Sequence, residues 1–385
     1  MALVPFKNKA SVVIIGCGII GASIAYNLAK QGTQNVVVLD KSKAGSGSTA
    51  ASLGGFRHQF SNELSIRLSL ESIREIERFK ETIGYDPLVK HDGYLFIATS
   101  ESSIRQLEKN RTLQRSLGVS VDFLAPYELS SKFPFYSFDG FLGGNLCMED
   151  GHASTFAVHQ GYVSRAKELD VTIYEEMEVT CIQRETSKVT GVKTNHGTIE
   201  SDKVVIAAGA YSGLVGGLAS VSIPVSPYPR KILVTKNFSG GVPDEVPLIV
   251  DVDSSLSIGR EGKGMIIADN PLPESSFDLS FPNAKDDQLI AKAIARVPAL
   301  ARATIGYANQ GLYELTPDSN PIVSAIPQVE GLYCCAGFAG HGFMHSPAIG
   351  KIMGEIILGK QTHLDVSTFN IERFKTATPK EDLII

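Results

Sequence analysis

The stretch that most restricts this chain is residues 11–15, SVVII, running directly into Gly16-Cys17-Gly18-Ile19-Ile20-Gly21. A β-branched apolar run of this kind is expected as a parallel strand buried on both faces, and the glycines then open a helical stretch to about Lys30. Residues 35–39, NVVVL, form a second buried strand ending at Asp40, nineteen positions after Gly21. Strand, glycine turn, helix and strand make one βαβ unit, and an acid at that spacing predicts a dinucleotide site. The glycines allow a tight turn and close approach of backbone to a pyrophosphate. The helix N-terminus adds N–H groups and positive potential, and Asp40 is suited to accept ribose hydroxyls. A glycine turn that serves packing alone is the bland alternative, and the complete unit around it argues against that.

Composition limits what else the chain does. At 385 residues it exceeds one ordinary domain. Thirty-six basic against 41 acidic residues give a net charge of −5 without long blocks of either sign, which excludes a nucleic-acid or anionic-membrane footprint. Residues 10–29 carry no charge, but Gly16, Gly18, Gly21, Ser23 and Asn27 interrupt them, so a strand, turn and helix are expected instead of a membrane span or signal peptide. The five cysteines are odd in number and form no CxxC pair, which argues against a disulfide framework or zinc site and favours a cytoplasmic location.

Further along, Ile66, Leu70, Ile73, Ile76, Phe79 and Ile83 form one helical stripe over 62–83, with Ser61 or Asn62 as N-cap. From 87 to 144 the pattern changes to short alternating strands, such as 93–97, and a helix near 101–117. A helix near 154–169 and strands near 171–174, 189–193 and 203–207 return to the first style. Residues 226–310 read as a second β-rich layer with a helix near 285–297, and the remainder carries a strand at 331–335 and a helix near 347–358. The expected fold is therefore α/β: a Rossmann-like dinucleotide domain from 1–86, 145–225 and 311–385. Interleaved with it is an α+β substrate domain, with a mixed or antiparallel sheet, from 87–144 and 226–310.

A nicotinamide dehydrogenase usually continues with a contiguous second half of its sheet, whereas this chain leaves and returns. It also has three further glycine-containing loops suited to a longer cofactor. In the motifs GCGIIG, GSGSTAASLGGFRHQF, VVIAAGAYS, TPDSNPIV and GFAGHGFMHSPAIG it resembles the D-amino-acid oxidase superfamily of flavoproteins over nearly its whole length. Within that superfamily it most resembles the β subunits of sarcosine oxidases and dye-linked L-proline dehydrogenases. The resemblance implies FAD, a substrate-domain sheet over the flavin, and oxidation of the C–N bond of a small, often secondary, amino acid by hydride transfer. It also implies a catalytic subunit working with others that carry further electron carriers. An oxidase of glycine or D-amino acids using O2 directly, or a flavin-binding assembly factor without turnover, are the alternatives.

Around FAD the expected residues are Gly16, Gly18, Ile19, Ile20 and Gly21 in the first turn and Asp40 with Lys41 after the second strand. Gly47, Ser48, Thr49, Ser52, Leu53, Gly54 and Gly55 belong to the loop that follows, Val179, Ala208 and Gly209 to the middle of the chain, and Gly337, Gly340, Gly342, Phe343 and Met344 to the late loop. At the reacting end, the backbone of Gly340, His341, Gly342, Phe343 and Met344 is expected to offer donors where charge develops on the reduced ring. Arg57, matched to the family's substrate arginine, is expected to grip the substrate carboxylate. A lysine of the monomeric relatives aligns with Met344, which leaves the second carboxylate contact unidentified, with Tyr228 and His345 as candidates that no motif supports. The family's covalent tethers align near Gly311 and Thr155, neither a suitable nucleophile, so FAD is expected to be noncovalent. His341 and His345 have the spacing of a metal pair but lie on an expected loop without a nearby acid, and no metal is expected. His58 either lines the flavin or packs. The lysine that favours reaction with oxygen in the oxidases aligns with Ile266, and Lys263 is the nearby basic residue.

Overall fold

The computed structural model describes residues 5–269, 274–280, 283–375 and 381. Strand β1 (Val12–Ile15), helix α1 (Ile19–Lys30) and strand β2 (Val36–Leu39) form the expected βαβ unit, and all four residues of each strand are buried. They lie inside a six-stranded sheet whose order is Ile322–Ala325, Leu332–Ala336, Val204–Ile206, β1, β2 and Thr172–Tyr174. Every pairing is parallel except the first, which is antiparallel. Burial on both faces explains the continuous Val/Ile runs.

Helix α2 (Glu63–Glu77) is shorter than the stripe suggested. Asn62 is its N-cap and accepts from the Ser65 N–H at 2.8 Å, and the helix stops at Arg78, before a separate turn at Phe79–Thr82. Helix Gly342–Ile357 packs on α1 and α2 and closes that face of the sheet. It starts five residues before the expected Pro347, which lies inside it. Pro347 cannot donate to the Phe343 carbonyl. The Ser346 hydroxyl donates to that carbonyl at 2.8 Å, so an acceptor is satisfied where proline would have left it bare. His341 and His345 are therefore the N-cap and first turn of a helix, not part of a loop.

The second layer is an eight-stranded sheet. Its order is Ile305–Leu315, Ser226–Thr235, Gly264–Ala268, Ser257–Glu261, Leu248–Asp251, Tyr94–Ala98, Gly143–Cys147 and Asp122–Leu124. Only the Leu248–Asp251 and Tyr94–Ala98 pair is parallel. Two of its strands run past the switch points expected at 144 and 310, to Cys147 and Leu315. One face of this sheet carries Leu95, Ile97, Ile249, Ile258, Met265, Ile267 and Leu233 into a core closed by helix Asn283–Arg296. The alternation of a strand sends Arg230, Ile232, Leu248, Ile266 and Tyr313 to the opposite face, toward the first domain. A hairpin layer of Val179–Glu185, Lys188–Thr194 and Gly197–Glu200 flanks the six-stranded sheet. No helix among the described residues is long and apolar enough to cross a membrane.

Candidate active site

Between the two layers lies a cavity of about 1030 Å³. At one end the first turn forms a cradle. Gly16 has φ +107°, and a Cβ there would lie 2.3 Å from the Ala207 carbonyl oxygen. Gly18 has an ordinary φ of −72°, and a Cβ on it would meet only the Thr49 hydroxyl at 3.2 Å. That hydroxyl accepts from the Ile19 N–H at 2.9 Å, leaving the next N–H groups of α1 without an intrahelical acceptor by helix geometry. The two Asp40 oxygens accept from the Cys17 and Ser42 N–H groups at 2.8 and 2.9 Å, so Asp40 shapes the turn as well as facing the cavity. Burial raises its pKa, with those N–H bonds opposing the rise. Lys41 places its ammonium 3.3 Å from the centre of the Tyr211 ring.

Gly47, Ser48, Thr49, Ser52, Leu53 and Gly55 line the long side, with Val179, Ala208 and Gly209 across from them. Ser48 donates to the Leu312 carbonyl at 2.8 Å, and Asn309 donates to the Ala51 carbonyl at 2.8 Å, which ties this loop to the second sheet. Three glycines expected at the cofactor do not line the cavity, because the fold itself needs them bare. A Cβ on Gly21 would lie 2.0 Å from the Gly16 oxygen, one on Gly54 1.8 Å from the Ala153 oxygen, and one on Gly337 2.5 Å from the Thr316 methyl carbon.

The far end holds Gly340, His341, Gly342, Phe343 and Met344 at the start of the 342–357 helix, whose first N–H groups face no carbonyl of their own helix. Gly340 abuts the Tyr313 ring, 2.6 Å from where its Cβ would stand. Arg57 is wholly buried. It lies over the Phe60 ring at 4.1 Å and donates to the Gln59 carbonyl and to His341 Nε2, the latter at 2.9 Å. Accepting at Nε2 fixes His341 as the Nδ1–H tautomer, and burial, then Arg57, then His345 hold its pKa well below the usual value. Glu381 is the leading counter-charge at Arg57, followed by the Tyr94 phenol and Asp150. Glu381 itself accepts from Ser61 N–H at 3.2 Å and from Asn62 at 2.5 Å.

Neither Tyr228 nor His345 lines the cavity; His345 Nε2 is engaged by Ser69 at 2.9 Å, and burial, then Arg57, hold its pKa at about 3. His58 does not line it either and bonds Asp150 at 2.9 Å, a packing role. Ile266 is on the cavity wall, while Lys263 is exposed in the turn before that strand and does not reach it.

Sequence reasoning missed Arg230, Tyr94, Tyr313 and Glu314, all on the wall. Arg230 is 8% exposed and lies 4.9 Å from the Tyr313 ring centre. Burial lowers its pKa, opposed by Tyr313, Asp269 and Tyr228. Its signal was present: Tyr228, Arg230, Ile232 and Val234 share one face of a strand, and a cation in an apolar alternation needs a reason. Glu314 Oε1 accepts from the Phe338 N–H at 3.2 Å, while its Oε2 is shielded and makes no hydrogen bond among the described residues. A glycine cradle at a helix N-terminus and an acid after the second strand fit a long, hydroxylated diphosphate cofactor.

The FAD dependent oxidoreductase family model matches residues 11–356. The chain belongs to that family. As an FAD-dependent oxidoreductase it is 31% identical over 97% of its length to FAD-dependent oxidoreductase domain-containing protein 1 of Xenopus laevis, covering 84% of that protein. It is 26% identical to sarcosine oxidase subunit beta of an Arthrobacter species, over 96% of this chain and 92% of that one. Among solved structures, the L-proline dehydrogenase of P. horikoshii superposes with a TM-score of 0.89 at 29% identity, over 96% of this chain and 99% of the other.

Proposed function

We propose that this flavoenzyme oxidises the C–N bond of a small amino acid, a secondary amine such as proline or sarcosine, as the catalytic subunit of a complex. The observation that carries the reading is a cavity with the dinucleotide cradle at one end and, at the other, two buried arginines beside an apolar wall. The names of the sarcosine oxidase subunit and the L-proline dehydrogenase supply the substrate class and the partner subunits. The first-turn backbone at Gly16 and Gly18 and the loop at 47–55 would hold FAD without a covalent link, and FAD so held would supply a hydride acceptor for the carbon next to the substrate nitrogen, leaving an imine that hydrolyses in water.

The chain's own residues prepare that step. The N–H groups at Gly342, Phe343 and Met344, with the positive end of their helix, stabilise negative charge as it develops. Preorganised donors of this kind contribute about 3–4 kcal/mol each. Ile232, Leu248 and Ile266 exclude water from the wall, which strengthens every charge interaction inside. Arg57 and Arg230 make this end electropositive. Arg57, which faces Glu381 and His341, sets the local field, and Arg230, beside Tyr313 on the strand that faces the cavity, takes the direct grip of the substrate carboxylate. His341, kept neutral, adds no competing positive charge.

Anaerobic mixing of the holoprotein with proline, sarcosine, hydroxyproline, glycine and their enantiomers tests the reading. Bleaching of the flavin absorbance by a secondary amino acid is the expected result. An oxidised spectrum after every amino acid would favour a flavin protein without this turnover.

A further inference from the structure

We propose that Tyr94 reads the substrate nitrogen: its phenol oxygen accepts the N–H of the bound amine, which makes the site selective for secondary over tertiary amines. The inference rests on the proposed oxidation of a small amino acid in this cavity. Tyr94 opens strand Tyr94–Ala98 and is 8% exposed on the cavity wall. Its hydroxyl stands against Gly55, 2.2 Å from where a Cβ would be. Gly55 has no left-handed φ, so its bare α-carbon is explained by the room that the hydroxyl takes and not by its backbone. The hydroxyl makes no hydrogen bond among the described residues and, unlike the Tyr136 hydroxyl and Glu314 Oε2, it is not shielded.

An amino acid needs an acceptor as well as donors. Arg57 and Arg230 offer only N–H groups, which suit the carboxylate and cannot receive the amine N–H. His341 Nε2 accepts from Arg57, Asp92 lies 3.3 Å from His152, Glu314 turns to the Phe338 N–H, and Ile232, Leu248 and Ile266 bring no polar side-chain atom. The side-chain acceptors left at this end, among the described residues, are the phenol oxygens of Tyr94 and Tyr313. The Tyr313 ring lies 4.9 Å from the Arg230 guanidinium, and its hydroxyl end abuts Gly340, which puts it beside the carboxylate. Tyr94 stands on the side of the 47–55 loop. Tyr313 is close enough to act electrostatically on both Tyr94 and Arg230, so phenol and guanidinium border the same end of the cavity. Burial, opposed by Arg57, keeps Tyr94 a neutral phenol. The two cations favour the neutral form of a bound amine. A neutral secondary amine carries one N–H for the phenol oxygen, and a tertiary amine carries none.

The test compares wild-type and Tyr94→Phe holoprotein with three probes: proline, N-methylproline, and cyclopentanecarboxylate, which has the proline ring with a methylene in place of the N–H. Anaerobic flavin bleaching reads the first two, and perturbation of the flavin spectrum reads the third. If sarcosine is the amino acid that bleaches the flavin, N,N-dimethylglycine and butanoate are the matched probes. Tyr94→Phe removes a hydroxyl that bonds nothing in the protein, so its melting temperature and FAD content should match the wild type. It should raise the half-saturating proline concentration roughly 3- to 10-fold and leave the values for N-methylproline and cyclopentanecarboxylate unchanged. A parallel rise for cyclopentanecarboxylate would put the phenol on the carboxylate, and loss of FAD would put it on the cofactor; either overturns the role. Bleaching of the variant by proline just as in the wild type overturns Tyr94 alone. A wild-type flavin that no amino acid bleaches overturns the proposed oxidation itself, and this inference with it.

Discussion

The first-turn glycines separate what the fold needs from what the cofactor needs. Gly18 has φ −72°, and its Cβ would meet only the Thr49 hydroxyl at 3.2 Å, so the protein tolerates a methyl there. Replacing this N-cap glycine by alanine should cost the apoprotein about 1 kcal/mol or less. In the holoprotein the same methyl stands between the backbone and the diphosphate. Overpacking of that kind costs about 1–3 kcal/mol, which is roughly a 5- to 150-fold rise in the FAD dissociation constant. Gly16→Ala should behave in the opposite way. At φ +107°, with its Cβ 2.3 Å from the Ala207 oxygen, it should destabilise the apoprotein by about 2 kcal/mol or more before any cofactor is added. Thermal melting of both apoproteins, paired with FAD titration followed by fluorescence quenching, measures each part. A Gly18→Ala protein that melts normally and binds FAD as tightly as wild type would refute the placement of the diphosphate. An apoprotein that does not fold would show that the chain, not the ligand, requires glycine there.

Other outcomes follow from the same geometry. Arg230→Leu should weaken substrate binding by about 2–5 kcal/mol, read as the amino-acid concentration that half-perturbs the flavin spectrum, with Arg230→Lys recovering part of it; an unchanged value removes Arg230 from the carboxylate. With apolar Ile266 on the wall and Lys263 away in a turn, reduced flavin should reoxidise slowly in air and fast with a dye. Ile266→Lys should accelerate the air reaction by placing a cation where superoxide charge develops, and stopped-flow mixing with oxygenated buffer compares the two. Wild-type reoxidation as fast as turnover would favour an oxidase. Asn62→Ala removes the α2 cap and the Glu381 contact, and should lower stability by about 1–2 kcal/mol in urea unfolding; no loss would mean that water replaces both bonds.

The βαβ unit was legible because local rules determine it. Two runs of β-branched residues must be buried on both faces, and a glycine turn between them leaves few other folds. The same holds for the glycine-rich loops and for Asp40. What pairs with what was not legible in that way. Pro347 signalled a helix start, but the Ser346 hydroxyl and the contacts with α1 and α2 carry the helix back to Gly342. Gly54 and Gly337 look like ligand glycines in one dimension and are packing glycines in three, since the atoms that exclude their Cβ come from other segments, whereas Gly21 is kept bare by the Gly16 oxygen of its own turn.

Arg57 stood out as the carboxylate grip because it follows a glycine-rich loop and matches the substrate arginine of the family that the sequence resembles. Its burial against Phe60 and its counter-charge Glu381, more than three hundred residues away in sequence, depend on the tertiary fold. The sequence by itself determined the dinucleotide cradle, because strand, glycine turn, helix and second strand follow one another in the chain, and distant groups such as the Ala207 carbonyl and the Thr49 hydroxyl only close on it. Only the tertiary structure decided the reacting end, where Arg230 and Tyr313 owe their places to the face their strands turn inward. That face is settled by the sheet's own core on the other side, and no local pattern records which side the cavity takes.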